Sequence, residues 1–216
     1  MTKKKNKTWK PEPTLVEEPE KAVEYSGTIY SIKSPIHYIK KIVEIRKKKK
    51  LAVIGTPCQV QALREMEKTH STSKITKSIK LIIGLFCMEC YPPEKISNFI
   101  ENELKIKIEN VKKFDISKGK FIVKTEKQEK QIPIKKLKNM MYPFCKNCID
   151  YTAENADLSI GNVGAPKNHN STIVRTERGK KALQKVKNLK IEKLETKNQG
   201  ISLIKKLSNE KKEKRK

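Results

Sequence analysis

The stretch that decides the fold is Leu51–Glu65, LAVIGTPCQVQALRE, in which a short apolar run leads directly into a helix start. Its first four residues predict a buried strand. Thr56 is a suitable N-cap, Pro57 fits the first helical position, and Gln59 completes a T-x-x-Q capping box. Cys58 therefore lies in the first helical turn. There it is either a thiolate favoured by the helix dipole or a small buried side chain at a strand–helix corner.

A second stretch repeats this architecture. Lys80–Cys87, KLIIGLFC, is an apolar strand that ends at a cysteine, and the pair Pro92–Pro93 opens a helix with an apolar stripe. Another helix is expected after Pro35. Two strand–helix units predict a parallel α/β sheet with Cys58 and Cys87 at the carboxyl ends of its strands. Sites cluster at that edge of such sheets.

The later part of the chain changes its pattern. Residues 118–134 alternate with a period of two and predict a β-hairpin that turns at 126–130. Residues 157–160 and 172–174 predict two strands that flank the glycine-containing loop GNVGAP. A helix is expected over Gly179–Leu189. The fold class is therefore α/β, with a mixed sheet, helices, one β-hairpin and cysteine-bearing loops.

The ends of the chain are basic. Residues 1–10 are expected to be a disordered lead-in, 11–195 the domain, and 196–216 a lysine-rich tail that is solvated from Lys205.

The net charge is +26, yet only five of the 50 basic residues are arginine, which argues against nucleic acid as a partner. No apolar run is long enough for a membrane span and none follows the basic start as in a secretory signal, so a cytoplasmic location is expected.

The five cysteines carry the strongest chemical signal. In a reducing compartment, close pairs such as Cys145-x-x-Cys148 and Cys87-x-x-Cys90 indicate metal or redox chemistry before disulfides. The two pairs together would make a four-cysteine zinc site. Alternatively, Cys58, Cys87, Cys145 and Cys148 would hold an iron–sulfur cluster. The spacing of the cysteines alone does not distinguish the zinc site from the iron–sulfur cluster. No role is assigned to the histidines.

The glycine loop offers a weaker signal. It precedes Ser171, Thr172 and Arg175, whose hydroxyl and guanidinium groups suit phosphate or flavin oxygens. A structural turn with Arg175 on the surface is the alternative interpretation.

Three segments, in this order, resemble signature segments of the coenzyme F420 hydrogenase/dehydrogenase beta-subunit family: IGTPCQVQALR, IGLFCMEC and CKNCIDYTAENADLSIGNVGAPKNHNSTIVRTERG. The N-terminal WKPEP and EYSGTIYSIKSP are similar to that family too. The resemblance covers Trp9 to Gly179.

The resemblance implies an archaeal-type flavoprotein subunit with FAD and one [4Fe–4S] cluster that exchanges electrons with coenzyme F420, an 8-hydroxy-5-deazaflavin. No side chain is expected as a catalytic acid or base. The implied cluster ligands are Cys58, Cys87, Cys145 and Cys148, and Cys90 is spare because relatives commonly have Ser or Asn there. The implied cofactor-contact residues are Thr56, Gln59, Gly161, Asn162, Val163, Gly164, Ser171, Thr172 and Arg175.

Two departures from the family pattern give further expectations. Family members usually begin tens of residues upstream with a Ser-Gly-Gly segment, so this chain is expected to come from a split gene, to be a truncated copy, or to be a fragment completed by another chain. The expected partners are other hydrogenase or dehydrogenase subunits, or a chain that supplies this segment. The loop Lys167–Asn170 replaces a Gly-Trp pair of the relatives. Two alternative functions stay open: a zinc-stapled basic module on nucleic acid, and a truncated family member without bound flavin.

Overall fold

The computed structural model describes residues 2–5, 9–45, 50–194 and 200–214. Its β-strands, in chain order, are β1 Thr2–Lys5, β2 Lys10–Pro13, β3 Leu51–Gly55, β4 Ile79–Leu85, β5 Val111–Ser117, β6 Lys120–Thr125, β7 Glu129–Pro133, β8 Leu158–Gly161 and β9 Ser171–Val174. Its α-helices are α1 Ile36–Ile45, α2 Pro57–Glu67, α3 Ser73–Thr76, α4 Pro93–Leu104, α5 Glu177–Gln184 and α6 Gly200–Glu213. Short 3-10 segments lie at Pro19–Tyr25, His70–Thr72, Ile108–Asn110, Ile134–Met140 and Pro143–Lys146.

The chain divides into two compact units, each built from two segments. The first unit comprises Met1–Ser34 and Glu89–Lys146, and the second comprises Pro35–Met88 and Asn147–Lys216. Two of the segment junctions, after Met88 and after Lys146, fall inside the two Cys-x-x-Cys motifs. The predicted domain boundaries at 10 and 195 stay a prediction.

The second unit contains the predicted mixed sheet, in the strand order β3-β4-β8-β9. β3, β4 and β8 run parallel, whereas β9 pairs antiparallel with β8. Val53 of β3 lies opposite Ile82 of β4, and both side chains are buried. α2 buries Val60 and Leu63. The α/β class and the two strand–helix units predicted from sequence are therefore confirmed.

Gly84, in the middle of this sheet, has no room for a side chain. A Cβ atom there would lie 2.2 Å from the Ala153 Cβ and 2.9 Å from the Ala156 Cβ. We expect Gly84→Ala to lower the free energy of unfolding by about 1–3 kcal/mol through overpacking, measured by urea denaturation. Adding Ala153→Gly should restore part of the loss, because it removes the nearer methyl group at a residue whose φ is 55°. Equal stability of Gly84→Ala and the wild type would contradict this packing.

The first unit contains the antiparallel sheet β5-β6-β7. The predicted hairpin is confirmed as β6 and β7, with Phe121 opposite Ile132. β5 was not expected from the sequence. Its Phe114 packs on Phe121, with ring centroids 5.3 Å apart. α4 completes this core, burying Ile96 and Ile100 in the same cluster.

Three predictions for single segments need correction. Residues 2–5 form β1, which pairs antiparallel with β2, so the predicted lead-in is ordered where it is described; residues 1 and 6–8 lie outside the described residues. α5 begins at Glu177 and ends at Gln184 rather than spanning 179–189. The predicted solvated tail forms α6 from Gly200, and its Ile204 is 4 % exposed; residues 196–199 and 215–216 of that tail are not described. A lysine-rich composition indicates charge, but an amphipathic helix can still bury one face.

Candidate functional site

The carboxyl edge of the sheet in the second unit gathers several predicted site residues. β3 leads into Thr56 and α2, β4 ends two residues before Cys87, and β8 ends at Gly161. Because these strands are parallel, their carboxyl ends share one edge. The Cys87 N–H donates to the Tyr151 carbonyl at 2.9 Å, which fixes the chain just beyond β4. The predicted placement of Cys58 and Cys87 at strand ends is confirmed.

Cys58 lies in the first turn of α2. The Thr56 N–H donates to Gln59 Oε1 at 3.0 Å, as the predicted capping box requires, and Thr56 Oγ1 lies 3.3 Å from Cys58 Sγ. Burial raises the pKa of the Cys58 thiol above its ordinary value, the Thr56 hydroxyl partly offsets this, and charge on Cys87 and Cys148 raises it further. The two interpretations of Cys58 that the sequence offers, a thiolate favoured by the helix dipole and a small side chain at a strand–helix corner, both stay predictions.

The same charge effect indicates that Cys87 and Cys148 lie near Cys58. Cys58, Cys87 and Cys148 all belong to the second unit, and each is partly buried. They are near enough for charge on two of them to shift the pKa of the third. Sulfurs from positions 58, 87 and 148 thus converge through tertiary structure.

Lys211 of α6 lies beside two of these cysteines. Its Nζ donates to the Cys87 carbonyl oxygen at 2.7 Å and to the Asp150 carbonyl oxygen at 2.6 Å, and it lies 3.4 Å from Cys148 Sγ. The residue is only 1 % exposed. The sequence does not reveal it, because nothing in a lysine-rich segment marks which lysine points inward.

Cys145 and Cys90 belong to the first unit, where both are 5 % exposed. The Cys145 thiol donates to the Cys90 carbonyl oxygen at 3.8 Å, and the Tyr142 N–H donates to the same oxygen at 3.0 Å. Burial raises the pKa of the Tyr142 hydroxyl, and charge on Cys90, Glu94 and Cys145 adds to the rise. The five cysteines are thus divided between the units, two in the first and three in the second.

The glycine loop after β8 contains predicted flavin contacts. Gly164 has a φ of 85°, and a Cβ atom there would lie 2.6 Å from the Gly200 carbonyl oxygen at the start of α6. The Ser171 hydroxyl donates to the Val163 carbonyl oxygen at 2.7 Å, which closes the loop. Asn162 and Thr172 are exposed. Their polar groups face solvent, whereas the Ser171 hydroxyl holds the backbone.

Arg175 does not lie freely on the surface. Its guanidinium donates to Ser159 Oγ at 3.2 Å and to Thr152 Oγ1 at 2.7 Å. These bonds tie β9 to β8 and to the segment that follows Cys148. Its assignment to flavin binding stays a prediction.

Asp157 lies just before the amino end of β8, and the sequence did not mark it as a functional residue. Its carboxylate accepts from the Ile82 N–H at 2.7 Å, from the Thr176 hydroxyl at 2.8 Å and from the guanidinium groups of Arg64 at 3.0 Å and Arg178 at 3.1 Å. Burial alone would raise its pKa, but these hydrogen bonds and the two positive charges hold the pKa below the ordinary value. The carboxylate therefore joins β4, β8, α2 and α5.

The described residues form neither a compact site for a single metal ion nor a membrane-spanning helix. No group of three or more His, Cys, Asp or Glu side chains in that part of the chain stands in an arrangement that could hold a metal ion. No helix among the same residues is long and apolar enough to cross a membrane.

Comparison with a known structure agrees with the fold. A chain of the F420-reducing [NiFe] hydrogenase complex from Methanosarcina barkeri, solved after xenon derivatization, matches with a TM-score of 0.93 at 29 % identity, over 99 % of this chain and 75 % of that one. The chain has a mixed α/β sheet with cysteines at its strand ends, and its fold is that of a hydrogenase chain. The protein is therefore an oxidoreductase subunit.

The family follows from two further comparisons. The family model for the C terminus of the coenzyme F420 hydrogenase/dehydrogenase beta subunit matches residues 48–199. The coenzyme F420 hydrogenase beta subunits of Methanothermobacter thermautotrophicus and Methanococcus voltae are 34 % and 35 % identical to the chain, over 95 % and 94 % of its length. The chain spans 75 % and 73 % of those relatives. The chain belongs to the coenzyme F420 hydrogenase/dehydrogenase beta-subunit family, as the sequence motifs predicted.

Proposed function

We propose that this chain transfers electrons between a [4Fe–4S] cluster, FAD and coenzyme F420, as the beta-type subunit of a hydrogenase or dehydrogenase. The observation that carries the proposal is that Cys87 and Cys148 lie together, both in contact with Lys211, in the same unit as Cys58 and in a chain that belongs to this family. The relatives named above are coenzyme F420 hydrogenase subunits, which supports the same coenzyme here.

The cluster would be held by Cys58, Cys87, Cys145 and Cys148. Cys58, Cys87 and Cys148 suit this role, since they are partly buried cysteines of one unit and charge on Cys87 and Cys148 acts on Cys58. Cys145, the fourth ligand that the resemblance implies, precedes Cys148 by three residues in the sequence. A cubane cluster binds each cysteine through a different iron atom, so its ligands stand farther apart than those of a single ion.

The flavin would be held at the glycine loop beside the same edge of the sheet. Asn162 and Thr172 offer exposed polar groups to the ligand. Ser171 and Arg175 would act mainly by fixing the loop and β9, because their polar atoms already bind within the unit. Thr56 and Gln59 would set the start of α2 in the same way.

The chemistry would come from the bound groups, and the residues would position them. Together the cofactors would convert between the hydride of a deazaflavin and single electrons, since FAD exchanges both. The chain's own task would be to bind each group and to keep their spacing fixed. Other subunits of a hydrogenase or dehydrogenase would complete the path of the electrons.

Anaerobic reconstitution tests the proposal. The purified chain is incubated with ferrous iron, sulfide and FAD, and bound iron, sulfide, zinc and flavin are measured after desalting. We expect a brown protein with about four iron and four sulfide per chain, and FAD released on denaturation. One zinc without iron would overturn the cluster and favour a zinc-stapled module. Bound iron and sulfide without flavin would support the cluster but overturn the FAD assignment. That result would favour the alternative of a family member without bound flavin.

A further inference from the structure

Lys211 is a buried cation whose position the proposed electron transfer does not by itself explain. It lies two residues before the end of α6 and is 1 % exposed, although its neighbour Lys212 reaches the surface and pairs with Glu154 at 3.1 Å. Lysine is almost never fully buried unless it is paired. A specific partner must therefore compensate for its loss of hydration.

The contacts of Lys211 identify that partner. An ammonium group has three N–H donors, and Lys211 has three neighbouring acceptors: the carbonyl oxygens of Cys87 and Asp150 at 2.7 Å and 2.6 Å, and Cys148 Sγ at 3.4 Å. The two carbonyl groups satisfy hydrogen bonds but carry no net charge. A buried charge is stable only beside an opposite one. Two groups can supply it: the Asp150 carboxylate, whose pKa burial raises and the charge of Lys211 partly lowers, and the sulfur of Cys148, which is anionic when it binds a metal as a thiolate.

The same contacts join two parts of the second unit that are far apart in sequence. Cys87 follows β4 and Cys148 ends the second Cys-x-x-Cys motif, and Lys211 bonds to the backbone of one and lies beside the sulfur of the other. The ammonium group thus holds the Cys87 backbone beside the Cys148 side chain.

We propose that Lys211 is a positioning residue of the iron–sulfur site, which holds the segments of Cys87 and Cys148 together and sets the reduction potential of the cluster through its positive charge. This inference rests on the proposed function. A cluster bound by four thiolates is anionic and gains a further negative charge on reduction. A nearby buried cation stabilises the reduced form more than the oxidised one, so it raises the potential.

Lys211 lies outside the part of the chain that the family model matches, 48–199. The motifs that carry the resemblance therefore end before it. Only the folded structure associates it with the cysteines.

The test compares three variants of the reconstituted protein: Lys211→Met, Lys211→Arg and Lys206→Met. Lys206→Met is the matched control, because Lys206 is an exposed lysine of the same helix and its loss removes the same formal charge. The readouts are bound iron and the midpoint potential, from a redox titration followed by electron paramagnetic resonance of the reduced cluster. Neither depends on the presence of coenzyme F420 or of a partner subunit.

We expect Lys211→Met to shift the midpoint potential to more negative values and to lose iron faster on dilution. Lys211→Arg should stay near the wild type because it keeps the charge, and Lys206→Met should match the wild type. A wild-type potential in Lys211→Met would overturn the inference while leaving the cluster intact. If Lys211→Met does not fold, Lys211→Gln takes its place, since it keeps a donor but not the charge, and the same result would overturn the inference. A wild-type protein that binds no iron would instead overturn the proposed function.

Discussion

Replacing Cys87 with serine should remove the iron from the reconstituted protein, from about four atoms per chain to nearly none. A serine hydroxyl is much less acidic than a thiol and is a poor ligand for iron. One iron atom of the cluster would therefore lack its protein ligand, and water could hydrolyse the cluster. Cys87 lies beyond the end of β4, with its N–H bonded to the Tyr151 carbonyl oxygen, so the backbone should hold the serine in the same place. The measurements are iron content and the visible absorbance of the brown protein.

Cys90 provides the matched control for this prediction. It is three residues from Cys87 but belongs to the first unit, and its carbonyl oxygen accepts hydrogen bonds that a serine would preserve. We expect Cys90→Ser to keep wild-type iron. Iron lost from Cys90→Ser and retained in Cys87→Ser would show that the ligand set has been assigned to the wrong residues.

Replacing Asp157 with asparagine should lower the free energy of unfolding by about 3 kcal/mol at neutral pH, because it removes the buried anion that pairs with Arg64 and Arg178. Asp157 is 0 % exposed, and its carboxylate accepts from Arg64, Arg178 and Thr176 at once. An asparagine keeps the shape but lacks the charge and offers one acceptor oxygen instead of two. Urea denaturation of the two proteins measures the difference.

The pH dependence gives this prediction a second readout. The pKa of Asp157 in the folded protein lies below its ordinary value of 3.8, so its stabilising effect is fully present above 3.8 and is lost as the pH falls through the folded value. The stability gap between the wild type and Asp157→Asn should therefore narrow in strong acid. Glu177→Gln, a change at an exposed residue of α5, should shift stability little at either pH. A gap that stays constant with pH would show that the charge of Asp157 is not what stabilises the sheet.

Much of the site could be predicted from the sequence because its parts are coded locally. An apolar run followed by T-P-C-Q specifies a strand, a capped helix and a cysteine in its first turn within one short stretch. Short local patterns likewise specify the strand before Cys87 and the hairpin of β6 and β7. The set of cluster ligands and the flavin contacts stay predictions that rest on the family resemblance.

Other features depend on residues too far apart for any local pattern to join. Lys211 and Cys87 are separated by 124 positions, and Arg64 and Asp157 by 93. A lysine in a lysine-rich segment, or an aspartate before a short strand, has the same local signal whether it faces water or the core. The sequence by itself determined the strands, the helix starts and the cysteines at the strand ends of this protein. Only the tertiary structure decided which charges are buried beside them, because burial of a charge depends on partners supplied from elsewhere in the chain.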